Sequence, residues 1–134
     1  MRQATLGVIL AVLLGMMWIE QGASQARADK AFRDRFVARY VKADSNDAKD
    51  KTFAAVVEKA KCTICHEGKS KKNRNTYGKA LAELLSRKTD TENTEKIEAA
   101  LKKVEAKHFD PKNEKSPTFG EIIKSGKLPV EPKG

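Results

Sequence analysis

The sequence predicts an all-α fold of four to five short helices, and three observations carry that expectation. Apolar residues recur three and four apart over long stretches, the spacing of one face of a helix. No stretch alternates apolar and polar residues as a half-buried strand does. The breaks between apolar stripes hold the Asp, Asn, Ser and Thr residues that cap helix starts.

Taken in order, residues of about 30–41 set Phe32, Phe36, Val37, Tyr40 and Val41 on one stripe. Asp44-Ser45-Asn46-Asp47 breaks this helix and offers several caps for the next. A second helix, about 48–61, carries Phe53, Val56, Val57 and Ala60 and runs directly into a pair of cysteines. Gly68 to Arg74 reads as a basic loop. A third helix begins near 76, with Asn75 as its cap and Tyr77, Leu81, Leu84 and Leu85 together. A fourth, about 91–107, aligns Ile97, Ala100, Leu101 and Val104. After Asp110-Pro111 and a polar loop comes a short last helix. Its start, Thr118-Phe119-Gly120-Glu121, has the capping-box pattern; Gly126 stops it and Pro129 prevents its resumption. These stripes are first of all helix–helix core.

The N-terminus reads differently. A basic start, Met1-Arg2-Gln3, precedes an apolar run from Ala4 to Ile19 and then a small, polar stretch ending Ala26-Arg27-Ala28. That is the layout of a secretory signal peptide, with residues 1–28 removed and a mature domain of 29–134. The alternative is a retained anchor. Sixteen helical residues reach about 24 Å, short of a hydrocarbon core of roughly 30 Å. Either way the remainder is expected outside the cytoplasm, periplasmic or on the outer face of the membrane.

Without residues 1–28 the net charge is +8. Export removes nucleic acid from the expected partners, and no stable membrane insertion is expected after cleavage. What stays is a preference for acidic partners, or simply a solvated face in which acids interleave with lysines. Only seven aromatics and no tryptophan remain in 29–134, so the core is thin.

Both cysteines lie in Cys62-Thr63-Ile64-Cys65, and His66 follows at once. This is the attachment signature for c-type haem. Each thiol adds to one porphyrin vinyl group as a thioether, and the adjacent imidazole of His66 becomes the proximal ligand to iron. Attachment outside the cytoplasm agrees with the signal sequence. Three other uses of the residues stay open. A redox dithiol shares the spacing but expects a βαβ context. A Cys62–Cys65 disulfide closes a very small loop and stabilises little. A zinc site would draw on Cys62, Cys65, His66 and His108, although neighbours in sequence are awkward joint ligands of a tetrahedral ion.

The segment Ala60-Lys61-Cys62-Thr63-Ile64-Cys65-His66-Glu67-Gly68 resembles the haem-binding region of the cytochrome c superfamily. The continuation from Lys71 to Leu81, with Phe119-Gly120-Glu121-Ile122-Ile123, is similar to small exported bacterial single-haem members. The similarity covers about 50–128, and only the Cys–Cys–His core is specific. The resemblance implies helices wrapped around one covalent haem, cycling between Fe(II) and Fe(III) to carry electrons rather than to catalyse. It carries over Cys62, Cys65 and His66 and says little about a physiological partner; a lysine-bordered haem edge is what would suit a redox protein partner with an acidic docking surface. Lys69, Lys71, Lys72 and Arg74 lie nearest the motif for such docking.

One departure matters. The superfamily usually supplies a methionine on the far side of the iron, and here the methionines are Met1, Met16 and Met17. His108, the only other histidine, is the candidate distal ligand; the alternative is a surface histidine. Without it the iron takes Tyr77, a lysine, water or nothing. Phe53, Tyr77, Leu81 and Phe119 are candidates to wall the porphyrin. An open distal site would instead suit a gas sensor or a small peroxidase-like enzyme, with His108 as acid–base group.

Overall fold

Helix starts fix the order of elements. In the computed structural model, which describes residues 20–130 and side chains from residue 30 onward, four starts are capped by the residue types the sequence offers, one of them by Asn93. Asp47 accepts from Lys49 N ahead of a helix over Ala48–Ala60, and Asn75 accepts from Gly78 N ahead of Thr76–Ala82. Thr118 and Glu121 close a reciprocal capping box ahead of Phe119–Lys124. We number the helices α1 (Glu20–Tyr40), α2 (Ala48–Ala60), α3 (Thr76–Ala82), α4 (Thr94–Glu105) and α5 (Phe119–Lys124). A 3₁₀ turn over Lys61–Ile64 continues from α2. The described residues contain two isolated β-bridges and no strand, so the βαβ context of a thioredoxin-like site is not formed there.

Two boundaries differ from the sequence expectation. The first helix begins at Glu20 rather than near 30. Residues 20–28 hold three Ala, two Gln, one Glu and one Arg, all good helix formers, against only Gly22 and Ser24, so no proline or capping break stops the helix. It passes the expected cleavage position at Ala28, while the apolar run from Ala4 to Ile19 lies outside the described residues. No helix among those described is long and apolar enough to cross a membrane. The fourth helix begins at Thr94 rather than 91, because Asp90 organises its own turn. Asp90 accepts from Ser86 N at 2.7 Å and pairs with Lys96 Nζ at 2.8 Å, and Asn93 becomes the cap.

The core follows the predicted stripes. Phe36, Phe53, Val57, Tyr77, Leu81, Leu85, Ile97, Leu101, Val104, Phe119 and Ile123 are buried. Val56 is the exception, at 38% exposure. Aromatic rings link the helices edge to face: Phe36 to Tyr77 at 5.8 Å, Tyr77 to Phe119 at 5.2 Å, and Phe119 to Phe109 at 5.9 Å. At one end, Arg39 Nε and Tyr40 OH of α1 both donate to Glu105 Oε1 of α4 at 2.8 Å. The cysteine motif meets α1 nearer its middle, at Lys30, Phe32 and Arg33.

Candidate cofactor site

The motif is built by an abrupt change of backbone. At Lys61 the chain turns through φ 48° and ψ −110°, a conformation rare for residues with a Cβ, and α2 ends. The following 3₁₀ turn brings Cys65 N and His66 N back to Cys62 O, at 3.3 and 3.0 Å. Ile64, 1% exposed, anchors this turn in the core. Cys62 is exposed and Cys65 half-buried, and the two thiols are not joined as a disulfide.

A second strip of chain locks the turn from above. His66 and Arg74 form an antiparallel bridge, with Glu67 N donating to Asn73 O and Asn75 N to Cys65 O, at 3.0 and 3.1 Å. Asn75, 3% exposed, serves both sides of the junction. Its Nδ2 donates to Thr63 O and Ile64 O at 3.1 and 3.0 Å, while Oδ1 caps α3 at Gly78 N at 2.8 Å. Gly78 then lies so close to the motif that a Cβ there would sit 2.0 Å from Cys65 O. Glycine at 78 is what lets α3 approach the motif backbone.

His66 Nδ1 lies 3.2 Å from Asn73 O. With Nδ1 as the donor, the ring's lone pair is on Nε2, the arrangement that fixes the tautomer of a metal-binding imidazole.

The motif forms part of the lining of an open cleft enclosing about 880 Å³, its mouth included. Cys62, Cys65 and His66 line it together, so the structure brings all three expected attachment residues to one site. Phe32, Ile64, Leu81 and Leu85 supply apolar wall. Lys30, Arg33, Lys61, Lys71, Arg74 and Arg87 supply six cations, and among the described residues no carboxylate lines the cleft. Of the basic residues expected near the motif, Lys71 and Arg74 take part and Lys69 and Lys72 do not. Of the expected apolar wall, Leu81 takes part; Phe53, Tyr77 and Phe119 belong to the core instead. Tyr77 is fully buried, and burial pushes its hydroxyl pKa well above the ordinary range.

Lys30, Phe32 and Arg33 on α1, and Arg87, were not legible as site residues. They reach the cleft only through the docking of α1 and the turn after α3. One signal exists in hindsight: Phe32 starts the α1 stripe, so its neighbours share its end of the helix.

His108 is elsewhere. It bridges to Thr118, its Nδ1 lies 2.6 Å from Ser116 O, and it is not among the residues that line the cleft. There it holds the loop between α4 and α5. Among the described residues, no three His, Cys, Asp or Glu side chains gather as a metal-ion site, which removes the four-ligand zinc arrangement from the described geometry. Comparison with protein-family models, curated proteins and solved structures finds no match to this chain.

Proposed function

We propose that the chain is an exported one-electron carrier with a single covalent c-type haem, joined through Cys62 and Cys65 and ligated by His66. The observation that carries this reading is the company these residues keep. Two thiols and an imidazole share a cleft with apolar wall and six cations but, among the described residues, no carboxylate. That combination suits a large apolar body bearing two carboxylates, which describes a haem. A redox dithiol or a disulfide has no use for such a cleft.

When bound, the haem supplies the ferrous–ferric couple. The chain's own residues do the rest. Asn73 O orients the His66 ring through Nδ1, and Asn75 and Gly78 hold the motif backbone in place. Phe32, Ile64, Leu81 and Leu85 exclude water, which is one of a protein's controls over haem potential. Lysines and arginines at the lip neutralise haem carboxylates and favour transient docking of an acidic redox partner. Export follows from the expected signal sequence over residues 1–28.

A second reading, a ligand-binding haem protein, is favoured by one specific observation. His108 lies outside the cleft, and no methionine occurs beyond Met17, so neither usual distal ligand lines the site. Optical spectra of the ferric, ferrous and carbon-monoxide-treated protein separate the two. A low-spin spectrum unmoved by carbon monoxide supports the carrier with an internal sixth ligand. Rapid carbon monoxide binding supports the ligand-binding protein. A chain that purifies without a haem spectrum from a host that matures c-type cytochromes defeats both.

A further inference from the structure

Residues 67–73, between the cysteine motif and α3, are all exposed, so no buried side chain fixes them. Hydrogen bonds hold this segment instead. Asn73 N donates to Ser70 O at 3.2 Å and closes a turn over 70–73. The central peptide of that turn is held on both sides: Lys72 N donates to Ser70 Oγ at 3.3 Å, and Arg87 Nη2 donates to Lys71 O at 3.3 Å. Asn73, the last residue of the turn, presents its carbonyl to Glu67 N at 3.0 Å and to His66 Nδ1 at 3.2 Å.

Arg87 reaches this turn from firmer ground. It is half-buried on the turn that follows α3, two residues after buried Leu85. Asp90, 4% exposed, fixes that turn from within. Its carboxylate accepts from Ser86 N at 2.7 Å, Thr89 Oγ1 at 3.0 Å and Lys96 Nζ of α4 at 2.8 Å. Asp90 N also donates to Ser86 O at 3.0 Å. A fixed turn therefore grips an exposed one, through a planar group that keeps its charge and its direction. A single exposed hydrogen bond adds little to stability. What this one decides is how a peptide is oriented.

We infer that Arg87 is a positioning residue for His66: by holding Lys71 O it sets the 70–73 turn, and with it the Asn73 carbonyl that accepts from the imidazole. This rests on the reading of His66 as the haem ligand, and it gives Arg87 a task apart from its charge. A carbonyl accepting from Nδ1 makes the imidazole a stronger donor through Nε2. Stronger donation favours ferric iron and lowers the potential. Loss of a neighbouring cation also favours ferric iron, because it removes a repulsion. Losing Arg87 therefore has two consequences of opposite sign. Its charge alone would lower the potential, and the slackened Asn73 carbonyl raises it.

The test uses the haem-loaded protein from a host that matures c-type cytochromes, comparing wild type with Arg87→Gln, Arg87→Lys and the control Lys71→Gln. Lys71→Gln takes one cation from the same cleft and keeps the main-chain carbonyl that Arg87 holds. Two readouts are taken. One is exchange of the His66 Nδ1 and Glu67 N protons, by nuclear magnetic resonance on the ferrous, carbon-monoxide-treated protein; the other is the midpoint potential. In Arg87→Gln both protons are expected to exchange roughly three- to tenfold faster, the factor for losing one exposed hydrogen bond. Its potential is expected to lie above that of Lys71→Gln. Arg87→Lys should restore both in part, and Lys71→Gln should keep wild-type exchange. Wild-type exchange in Arg87→Gln, with the haem still covalently attached, overturns the inference and leaves the haem reading intact. A potential no higher than that of Lys71→Gln, or equal acceleration in the two variants, also overturns it, since loss of charge would then explain both. Wild-type protein without attached haem overturns the underlying reading instead.

Discussion

Two stretches of helix α1 meet the rest of the protein in opposite ways. At the C-terminal end, cations and an anion are matched: Arg39 and Tyr40 converge on Glu105, and Arg39 also reaches Glu98 at 3.5 Å. Burial opposes ionisation of Glu105, but hydrogen bonds from Arg39 and Tyr40 outweigh it and hold the carboxyl below its ordinary value. The hydrogen bond to Glu105 raises Arg39, and burial followed by the bond to Glu105 raises Tyr40. Near the middle of the helix, where Lys30, Phe32 and Arg33 line the cleft, six cations and no carboxylate of the described residues border an apolar wall. The C-terminal end completes itself, whereas the middle of the helix faces the cleft that the cysteine motif lines.

The comparison breaks most severely at Gly78. Gly78→Ala drives a Cβ into Cys65 O and is expected to cost about 3 kcal/mol or more, at the upper end of overpacking effects. Thermal unfolding measures the loss, and haem incorporation should fall with it because the clash displaces the motif itself.

Next in size is Asn75→Ala. It removes the cap of α3 and the donors to Thr63 O and Ile64 O, for an expected loss of about 2–3 kcal/mol. Denaturant unfolding checks this, and Asn75→Asp discriminates within it. Aspartate keeps the cap but not the two donors, so it should recover only part of the loss.

Residue 75 also marks how far the sequence could be read. Asn75 as a cap, the Thr118–Glu121 box and the stripe of α4 were legible because each depends on residues within a few positions. The Cys62–Cys65–His66 motif was legible for the same reason. The second task of Asn75, holding the motif backbone, was not, since its Nδ2 serves residues eleven and twelve positions away. Phe53, Tyr77 and Phe119 could not be separated from cleft residues either. An apolar stripe tells which side of a helix is buried, not whether it meets protein or a bound group. Arg33 and Arg87 were hidden for the converse reason: basic residues are common here, and only the fold selects those at the cleft.

At the self-completing end the expected effects are smaller and depend on pH. Glu105→Gln removes the charge that Arg39 and Tyr40 share, at a cost of about 1 kcal/mol near neutrality, kept small by partial exposure. The Glu105 carboxyl is lowered in the folded state, so its contribution is present above the unfolded value of about 4.3 and fades as pH falls through the folded value. Unfolding midpoints measured down the pH scale should therefore converge for wild type and Glu105→Gln in acid. A constant gap at all pH values would show that shape, not charge, matters at 105.

The smallest expected effect sharpens the comparison from outside both stretches. His108→Ala removes a side chain held by Ser116 O and should cost under about 1 kcal/mol, within the range for one partly exposed hydrogen bond. From its place in the fold, the haem spectrum of this variant should match wild type. A new high-spin component with rapid carbon monoxide binding would return His108 to the iron as the distal ligand, and would require the end of α4 to reorganise on haem binding.

The cleft reading stands on a covalent bond, and mass tests that bond most directly. Protein produced in a host that matures c-type cytochromes should have an intact mass equal to the processed polypeptide plus one haem. Its colour should stay with the polypeptide through acid–organic extraction, and it should lose both properties in Cys62→Ser, Cys65→Ser. A colourless polypeptide of unmodified mass, obtained where a control c-type cytochrome matures normally, would contradict the proposal outright.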